Sequence, residues 1–234
     1  MISLDLTGKV VAVTGGFGSL GASVGRAALA AGAEVALIDR VDASRAPSNL
    51  AAALALGGVD LGSSESAGAA MRRTVEQFGR LDALVNVAGG FSWEKVEGGS
   101  IETWDAMYQM NLRTVVSATQ AALPHLLERA GGRIVNIGAG AAAKAGLGMG
   151  AYAASKAGVA KLTEALAEEL KDRGVCVNAV LPSTIDTAAN RADMPNADFG
   201  RWVKPEQIAD VVVFLLSDRA QAITGALLPV AGRV

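Results

Sequence analysis

Residues 9–21 read KVVAVTGGFGSLG and contain a strand, a glycine-rich turn and the start of a helix. The apolar, β-branched run at 9–16 predicts a short strand that is buried on both faces. Helical spacing of apolar residues then predicts a helix over 19–31, which Gly32 ends. A strand that passes through glycines into a helix is the first half of a βαβ unit, from which parallel sheets are built.

Strands and helices alternate through the rest of the chain, although residues 41–60 are rich in alanine and show no clear period. We predict further strands at 34–40, 81–90, 132–139, 175–182 and 226–232, and helices ending at 79 and covering 102–129, 151–172 and 205–217. This alternation predicts an α/β fold, a single-domain doubly wound parallel sheet of Rossmann type with helices on both faces, over residues 1–234. Ligands of such a sheet bind at the carboxyl ends of its strands.

The composition is that of an ordinary soluble protein. Of 234 residues, 51% are apolar and 19% are charged, and a net charge of −2 leaves no basic excess for nucleic acid. No window of about 18 residues is free of charges and turn-formers, so we expect no membrane span. The single cysteine, Cys176, cannot form an internal disulfide, and the first residues do not resemble a signal peptide. We expect a cytoplasmic location and, because no His, Cys or carboxylate cluster has ligand spacing, no metal site.

The glycine-rich turn predicts a dinucleotide site. Its glycines allow a tight turn next to a pyrophosphate, and the helix that follows offers free N–H groups. The contacting residues are expected to be Gly15, Phe17, Gly18, Ser19, Leu20 and Gly21. Asp39 follows 18 residues after Gly21, where a carboxylate accepts hydrogen bonds from ribose hydroxyls and repels a 2′-phosphate. We therefore expect NAD, with NADH preferred and NADP possible because Arg40 comes next; a plain strand–helix turn and a solvated charge are the alternatives.

Tyr152 and Lys156 are four residues apart, so on the predicted helix they share one face. A free tyrosine has a pKa of about 10, too high for efficient proton transfer near neutrality. A neighbouring ammonium lowers such a pKa, and an oxidised nicotinamide acts in the same direction. We predict that Tyr152 gives a proton as hydride arrives and that Lys156 also holds the nicotinamide ribose. A chance surface pair at helical spacing is the alternative.

Several ordered motifs together resemble the short-chain dehydrogenase/reductase family over essentially the whole chain. They are TGGFGSLG (14–21), Asp60-Leu61, NVAG (86–89), Asn111, YAASK (152–156), LPSTIDT (181–187) and ITG (223–225). The resemblance implies a small-molecule substrate and a homodimer or homotetramer that forms through the helices at 102–129 and 151–172.

The resemblance also implies roles for single residues. Asn111 would be catalytic with Tyr152 and Lys156, because it interrupts regular helix bonding and anchors a water. The remaining cofactor-binding residues would be Asp60 and Leu61 at the adenine, Asn86, Ala88 and Gly89 after the central strand, and Pro182, Ile185 and Thr187 near the nicotinamide.

Three positions depart from the family's pattern. Ser19 and Ser183 stand where glycines are usual, and Ala139 stands thirteen positions before Tyr152, where most members have a serine. That serine's hydroxyl would bind the substrate carbonyl oxygen. Its loss is expected to cost roughly 2.7–4 kcal/mol if it acts as an oxyanion-hole donor.

One branch of the family, dihydropteridine reductase, lacks this serine and reduces a quinonoid dihydropterin. Four segments of the chain are similar to that branch: the glycine loop, VAGGF (87–91), residues 139–152 and residues 180–202. This predicts a small conjugated substrate, with Ala139 in its pocket and Phe91, Trp93 and Trp202 as an aromatic wall; core or oligomer packing is the alternative for the tryptophans. We expect residues 188–204 to cover the pocket as a lid.

Two other functions compete with this one. The first is a general carbonyl or alcohol dehydrogenase similar to 3-oxoacyl reductases, in which Lys144 or a backbone N–H near Gly138–Gly140 replaces the serine. The second is a non-catalytic dinucleotide sensor. Ala139 agrees with a sensor, but Tyr152, Lys156 and Asn111 together argue against it.

Overall fold

The structure is a computed structural model that describes residues 4–129 and 131–234. Its strands are β1 (Val10–Thr14), β2 (Glu34–Ile38), β3 (Leu54–Leu56), β4 (Ala83–Asn86), β5 (Arg133–Ile137), β6 (Cys176–Pro182) and β7 (Leu227–Val230). Its α-helices are α1 (Ser19–Ala30), α2 (Ser64–Phe78), α3 (Ile101–Tyr108), α4 (Thr114–Leu126), α5 (Gly150–Leu170), α6 (Ala188–Asp193) and α7 (Pro205–Leu216). The predicted strands and helices are present with ends that differ by a few residues, except that the helix predicted at 102–129 is divided into α3 and α4.

The seven strands form one parallel sheet in the order β3-β2-β1-β4-β5-β6-β7. From β1 the chain adds strands in one direction, and it then returns to place β4 on the other side of β1. Helices that leave β1 and β4 thus diverge to opposite faces and open a crevice at the carboxyl ends of these strands. The predicted doubly wound Rossmann-type fold is confirmed.

Both faces of the sheet are covered, as the apolar strands predicted. In β1, Val11 and Val13 pack in the core on the side of α1 and α7, whereas Val10 and Ala12 pack on the side of α2, α4 and α5. All four are at most 2% exposed. Because successive strand residues point to opposite faces, a strand buried on both sides must be apolar at every position, as β1 is.

The long helical pattern at 102–129 is not one regular helix. A π-helical segment, Gln109–Arg113, separates α3 from α4 and contains Asn111. The resemblance implied such an interruption at Asn111. The extra residue in a π-helical turn rotates the side chains that follow it, and such bulges are frequent at functional sites.

The unclear stretch at 41–60 contains the short edge strand β3 and two 3₁₀ turns. Within the described residues, no helix is long and apolar enough to cross a membrane, and no group of His, Cys, Asp and Glu is arranged to hold a metal ion.

Candidate active site

A cavity of about 1810 Å³ opens at the carboxyl ends of β1, β4 and β5, the edge predicted for ligands. The predicted site residues that line it are Gly15, Gly18, Ser19, Leu20, Gly21, Asp39, Arg40, Asp60, Leu61, Ala88, Gly89, Phe91, Trp93, Ala139, Tyr152, Lys156, Pro182, Ile185 and Thr187. Four predicted site residues do not line it: Phe17, Asn86, Asn111 and Trp202.

The glycine loop requires glycine for two different reasons. A Cβ on Gly15, which has a φ of +62°, would lie 2.9 Å from the Ala88 backbone, and a Cβ on Gly21 would lie 2.1 Å from the Gly15 carbonyl oxygen. A Cβ on Gly18 would meet only that same oxygen, at 3.5 Å. Packing therefore does not demand glycine at 18, where α1 begins and its free N–H groups face the cavity. A pyrophosphate bound against the backbone at this position would require a residue without a side chain. The loop is therefore suited to a dinucleotide.

Asp39 is held in place by the glycine loop. Its Oδ2 accepts a hydrogen bond from the Phe17 N–H at 3.0 Å, and its Oδ1 accepts one from the Val41 N–H at 3.3 Å. Phe17 therefore contributes its backbone to this site, while its ring packs against the core; its predicted contact with a dinucleotide stays a prediction. Arg40 is exposed at the cavity edge beside this carboxylate.

Asp60 and Leu61 form the far wall of the same cavity. The Asp60 carboxylate accepts a hydrogen bond from the Gly62 N–H at 2.8 Å, and the Gly62 carbonyl accepts one from Arg113 Nε at 2.9 Å. Arg113 comes from the π-helical segment, so the interruption of the helix and the far wall are joined directly.

Asn86 supports the sheet from inside instead of lining the cavity. It is 1% exposed, and its Nδ2 donates to Asn136 Oδ1 at 2.9 Å; Asn136 Nδ2 in turn donates to Thr163 Oγ1 on α5 at 2.9 Å. Thr14, which sequence reasoning did not single out, accepts hydrogen bonds from the N–H groups of Val87 and Ala88 at 3.1 and 3.2 Å. These polar side chains lock the ends of β1, β4 and β5 together.

Asn111 does not line the cavity, and its side chain joins two segments next to it; its assignment to the catalytic group stays a prediction. It is fully buried; its Oδ1 accepts from the Gly90 N–H at 2.9 Å, and its Nδ2 donates to the Gly90 carbonyl at 3.0 Å and to Ser155 Oγ at 3.1 Å. Ser155 Oγ donates to the Tyr152 carbonyl at 2.7 Å. Asn111 thus ties the loop after β4 to the helical turn that carries Tyr152.

Tyr152 and Lys156 both face the cavity from the first two turns of α5. Lys156 is 5% exposed, and its Nζ donates to the Ile137 carbonyl at 2.8 Å. Burial lowers the pKa of Lys156 to about 8. Burial also raises the pKa of the Tyr152 phenol, which is opposite to the direction predicted from a neighbouring ammonium.

Ala139 lies in the cavity wall and offers no hydroxyl. The Gly138 N–H does not replace it, because it donates to the Val180 carbonyl at 2.9 Å. The N–H groups of Gly140 and Ala141 have no acceptor among the residues that the structure describes, and Lys144 also lines the cavity. Donors other than a serine are therefore present near position 139.

Two aromatic rings stand beside Tyr152. The Phe91 ring meets the Tyr152 ring edge-to-face, with centroids 5.0 Å apart. Trp93 lies against Gly148, where a Cβ would be 2.3 Å from its ring, and the Glu94 N–H donates to the Gly148 carbonyl at 2.8 Å. Phe91 and Trp93 are 56% and 55% exposed, so much of each ring remains open to the cavity.

Trp202 does not belong to this wall, which corrects the prediction for it. Trp202 is 8% exposed and packs against Phe199, with ring centroids 4.9 Å apart. The Arg191 guanidinium lies over the Phe199 ring, 4.8 Å from its centroid. Arg191 also binds both oxygens of Asp186, and this hydrogen-bonded ion pair lowers the pKa of the carboxyl. The tryptophan is thus the buried base of the 188–204 segment.

The predicted nicotinamide-side residues are part of the same structure. Thr187 caps α6 by accepting from the Asn190 N–H at 3.2 Å, and the Ile185 carbonyl accepts from Asn190 Nδ2 at 2.8 Å. Ser183, unusual in the family's pattern, donates to the Ala231 carbonyl at 2.7 Å.

Several apolar cavity residues were missed by sequence reasoning: Met110, Leu147, Met149 and Met194. They come from the π-helical segment, from the loop before α5 and from the end of α6. No periodic pattern marks them, because only the tertiary structure brings these segments to one cavity.

The site thus supplies the two things that hydride chemistry requires of a protein, a cradle for a dinucleotide and a buried group for the proton. A sheet of this type with such a site defines an oxidoreductase that depends on NAD or NADP. The comparison with known families is more specific: the short chain dehydrogenase family matches residues 9–198, and the chain belongs to that family.

Individual relatives extend over most of the chain. The 2-(S)-hydroxypropyl-CoM dehydrogenase 3 of Xanthobacter autotrophicus is 35% identical, covering 99% of this chain and 98% of its own. A 3-oxoacyl-[acyl-carrier-protein] reductase of Thermotoga maritima is 35% identical over 69% of both chains. A short chain dehydrogenase from Burkholderia cenocepacia, solved in complex with NADP, superposes with a TM-score of 0.89 at 35% identity, covering 97% of this chain and 98% of its own. None of these three is named as a dihydropteridine reductase, so the resemblance to that branch is not shown.

Proposed function

We propose that this protein transfers hydride from NADH to a small, flat, conjugated substrate, with Tyr152 as the acid–base group. The observation that carries the proposal is the composition of the cavity wall next to Tyr152. Ala139 provides no hydroxyl for a ketone oxygen, whereas Phe91 and Trp93 provide half-exposed rings on which a conjugated molecule can stack.

The dinucleotide, when bound, supplies or accepts the hydride. The glycine loop and the start of α1 would hold its pyrophosphate, and Asp39 its adenosine ribose. Lys156 would hold the nicotinamide ribose, and Ile185 and Thr187 would contact the carboxamide, as the family resemblance implies. The fixed carboxylate of Asp39 favours NADH, while the exposed Arg40 leaves NADPH as a weaker alternative.

The proton pathway uses two groups that burial affects in opposite directions: it lowers the pKa of Lys156 and raises the pKa of Tyr152. Lys156, with a pKa of about 8, is mostly protonated at neutral pH and donates to the Ile137 carbonyl. Burial keeps the Tyr152 phenol protonated, which suits a proton donor in the reductive direction. For the reverse direction, the positive charge of an oxidised nicotinamide would favour the phenolate.

A conjugated acceptor needs less help than a ketone, because charge that develops on arrival of hydride spreads over the ring. Quinonoid dihydropterin is one such acceptor, and the local sequence similarity to dihydropteridine reductase favours testing it first. The names of the relatives do not mention a pterin.

The second candidate function is a general alcohol or carbonyl dehydrogenase. The relatives named as a hydroxypropyl-CoM dehydrogenase and a 3-oxoacyl reductase favour it. The free N–H groups of Gly140 and Ala141, or the Lys144 ammonium, would then take the place of the serine hydroxyl.

The test is NADH oxidation with chemically generated quinonoid dihydropterin, a set of quinones and a set of simple ketones, for the wild-type protein and Tyr152→Phe. We expect turnover of conjugated acceptors, loss of that turnover in Tyr152→Phe, and NADH binding that is nearly unchanged in the variant. Turnover confined to ketones would establish the second candidate. Binding of NADH without turnover of any compound would favour the non-catalytic sensor.

A further inference from the structure

A second cavity lies at the opposite edge of the sheet from the dinucleotide cavity. It has a volume of about 510 Å³ and opens between the amino ends of β5 and β6. Its lining includes Lys9, Arg133, Lys171, Cys176, Gln221 and Thr224. Sites of this volume hold small organic ligands in many proteins.

Arg133 is the central feature of this cavity. The residue is 6% exposed, and its Nη1 donates to the carbonyls of Gly131 and Gly132 at 2.9 and 3.1 Å. Within residues 4–129 and 131–234, its Nε and Nη2 donate to no acceptor, and no carboxylate forms an ion pair with it. A buried guanidinium without a counter-ion is costly, and an anion that enters the cavity would remove that cost.

The remaining charges around Arg133 also favour an anion. Lys9 and Lys171 line the cavity with it, and Asp218 is the acidic side chain in the described lining. Lys171 Nζ is already paired with Glu168 at 2.5 Å, but both side chains are exposed and an anion can compete for the lysine. Asp218 contacts Lys9 at 3.6 Å but is 77% exposed on its side chain, and the pair is therefore weak. Thr224 Oγ1 accepts from the Val177 N–H, so its own hydroxyl proton stays available as a further donor.

We propose that this cavity is a binding site for a small dianionic oxyanion of the phosphate-monoester class. The Arg133 guanidinium is its buried anchor, and Lys9 and Lys171, each in a solvent-exposed ion pair, are the other cations in its lining. The cavity is larger than a phosphate group, so a short organic portion of the ligand can also be enclosed. The site is independent of the dinucleotide cavity, because the two open at opposite ends of the strands.

Cys176, the only cysteine of the chain, lines this cavity and serves as a local reporter. The experiment measures the rate at which neutral iodoacetamide alkylates Cys176 in the full chain, with inorganic phosphate or glycerol 3-phosphate added at constant ionic strength. We expect both to slow alkylation several-fold in a saturable way. A global stability shift is not used, because phosphate would also bind the glycine loop.

Two substitutions make the test specific. Lys171→Gln, at an exposed side chain, is expected to weaken the protection, and Arg133→Met to abolish it. Lys161→Gln removes the same charge from another exposed Lys–Glu pair, on α5 and away from the cavity, and is expected to leave the protection unchanged. The proposal is overturned if phosphate does not slow alkylation of the wild-type protein, or if Lys161→Gln weakens protection as much as Lys171→Gln.

Iodoacetate, which is an anion, gives a second measurement. The positive charge of the cavity should raise the ratio of the iodoacetate rate to the iodoacetamide rate in the wild-type protein. The same ratio in Lys171→Gln as in the wild-type protein would contradict the site.

Discussion

Lys156 illustrates how position changes the chemistry of a single side chain. Its ammonium lies in a nearly dry site, with the Ile137 carbonyl as its hydrogen-bond acceptor. Removal from water disfavours the charged form, so the pKa falls from 10.5 to about 8. The same burial keeps the Tyr152 phenol neutral. The pair is therefore set for proton donation before any ligand adds its own charge.

This shift predicts a pH dependence of stability. Between about pH 8 and pH 10 the unfolded chain holds a proton on Lys156 that the folded protein has lost, so the free energy of unfolding should rise with pH. The rise is expected to be of the order of 3 kcal/mol at most. Urea unfolding at a series of pH values checks it, with Lys156→Met expected to lose the rise and the exposed Lys161→Met to keep it. The same rise in Lys156→Met would contradict the assignment.

Ala139 gives a second prediction at the scale of one residue. Ala139→Ser places a hydroxyl in the cavity wall where the family usually has one. We expect kcat/KM for simple ketones to increase by about 100-fold, comparable with the loss of one oxyanion-hole donor. The value for conjugated acceptors should change little. Equal gains for both classes of substrate would mean that the wild-type protein also needs a donor at this position for a conjugated ring.

At the scale of the element, the glycine loop contains two glycines that are needed for different physical reasons. Gly21 is required by packing, because a Cβ there would overlap the Gly15 carbonyl oxygen. Gly18 is not required by packing, because its φ of −76° and its open surroundings accept alanine. Glycine is therefore needed for folding at position 21, whereas at position 18 only a bound dinucleotide would require it.

A matched pair of variants tests this difference. Gly21→Ala should lower both the melting temperature and NADH affinity, because the start of α1 must shift. Gly18→Ala should leave the melting temperature within about 2 °C of the wild-type value, since an exposed-site change is usually within 0.5 kcal/mol, yet still weaken NADH binding. Thermal unfolding and a fluorescence titration with NADH measure the two effects. Normal NADH affinity in Gly18→Ala would contradict a pyrophosphate at this position.

At the scale of the whole molecule, one surface of α3 is unusually apolar. Ile101, Trp104 and Tyr108 are 68%, 37% and 49% exposed and lie at helical spacing. The family resemblance implied assembly through the helices at 102–129 and 151–172, and this surface lies at the start of the first. We propose that it contributes to a contact between copies of the chain.

The assembly is tested by light scattering of the purified protein. We expect a mass of at least twice the 23.7 kDa monomer, reduced towards the monomer by Ile101→Glu combined with Tyr108→Glu. A glutamate at 101, in the first turn of α3, favours the helix dipole, whereas one at 108, in the last turn, does not. The circular dichroism of the double variant must therefore match that of the wild-type protein before a loss of assembly is attributed to the surface. Val41→Glu, on another exposed apolar residue, is the control. An unchanged mass in the double variant would exclude this surface.

The sequence alone determined the order of elements and the identity of the chemical groups. Short apolar runs and the helical period of 3.6 depend only on neighbouring residues. The glycine loop and Asp39 lie at the ends of such runs, and Tyr152 and Lys156 lie at the start of a helical pattern. A parallel sheet brings the carboxyl ends of its strands to a common edge, so the sequence alone predicts that these residues lie around one cavity.

Only the tertiary structure decided where individual side chains point. Asn86 and Asn111 are buried between strands and helices, and Trp202 lies beneath the 188–204 segment, because their surroundings come from distant parts of the chain. The directions of the pKa shifts of Tyr152 and Lys156 depend on how much water each group loses, which no local pattern records. The surroundings of Arg133 are likewise a result of the tertiary structure: loops that are remote in sequence meet at the amino ends of the strands, and its Nε has no acceptor among the residues that the structure describes.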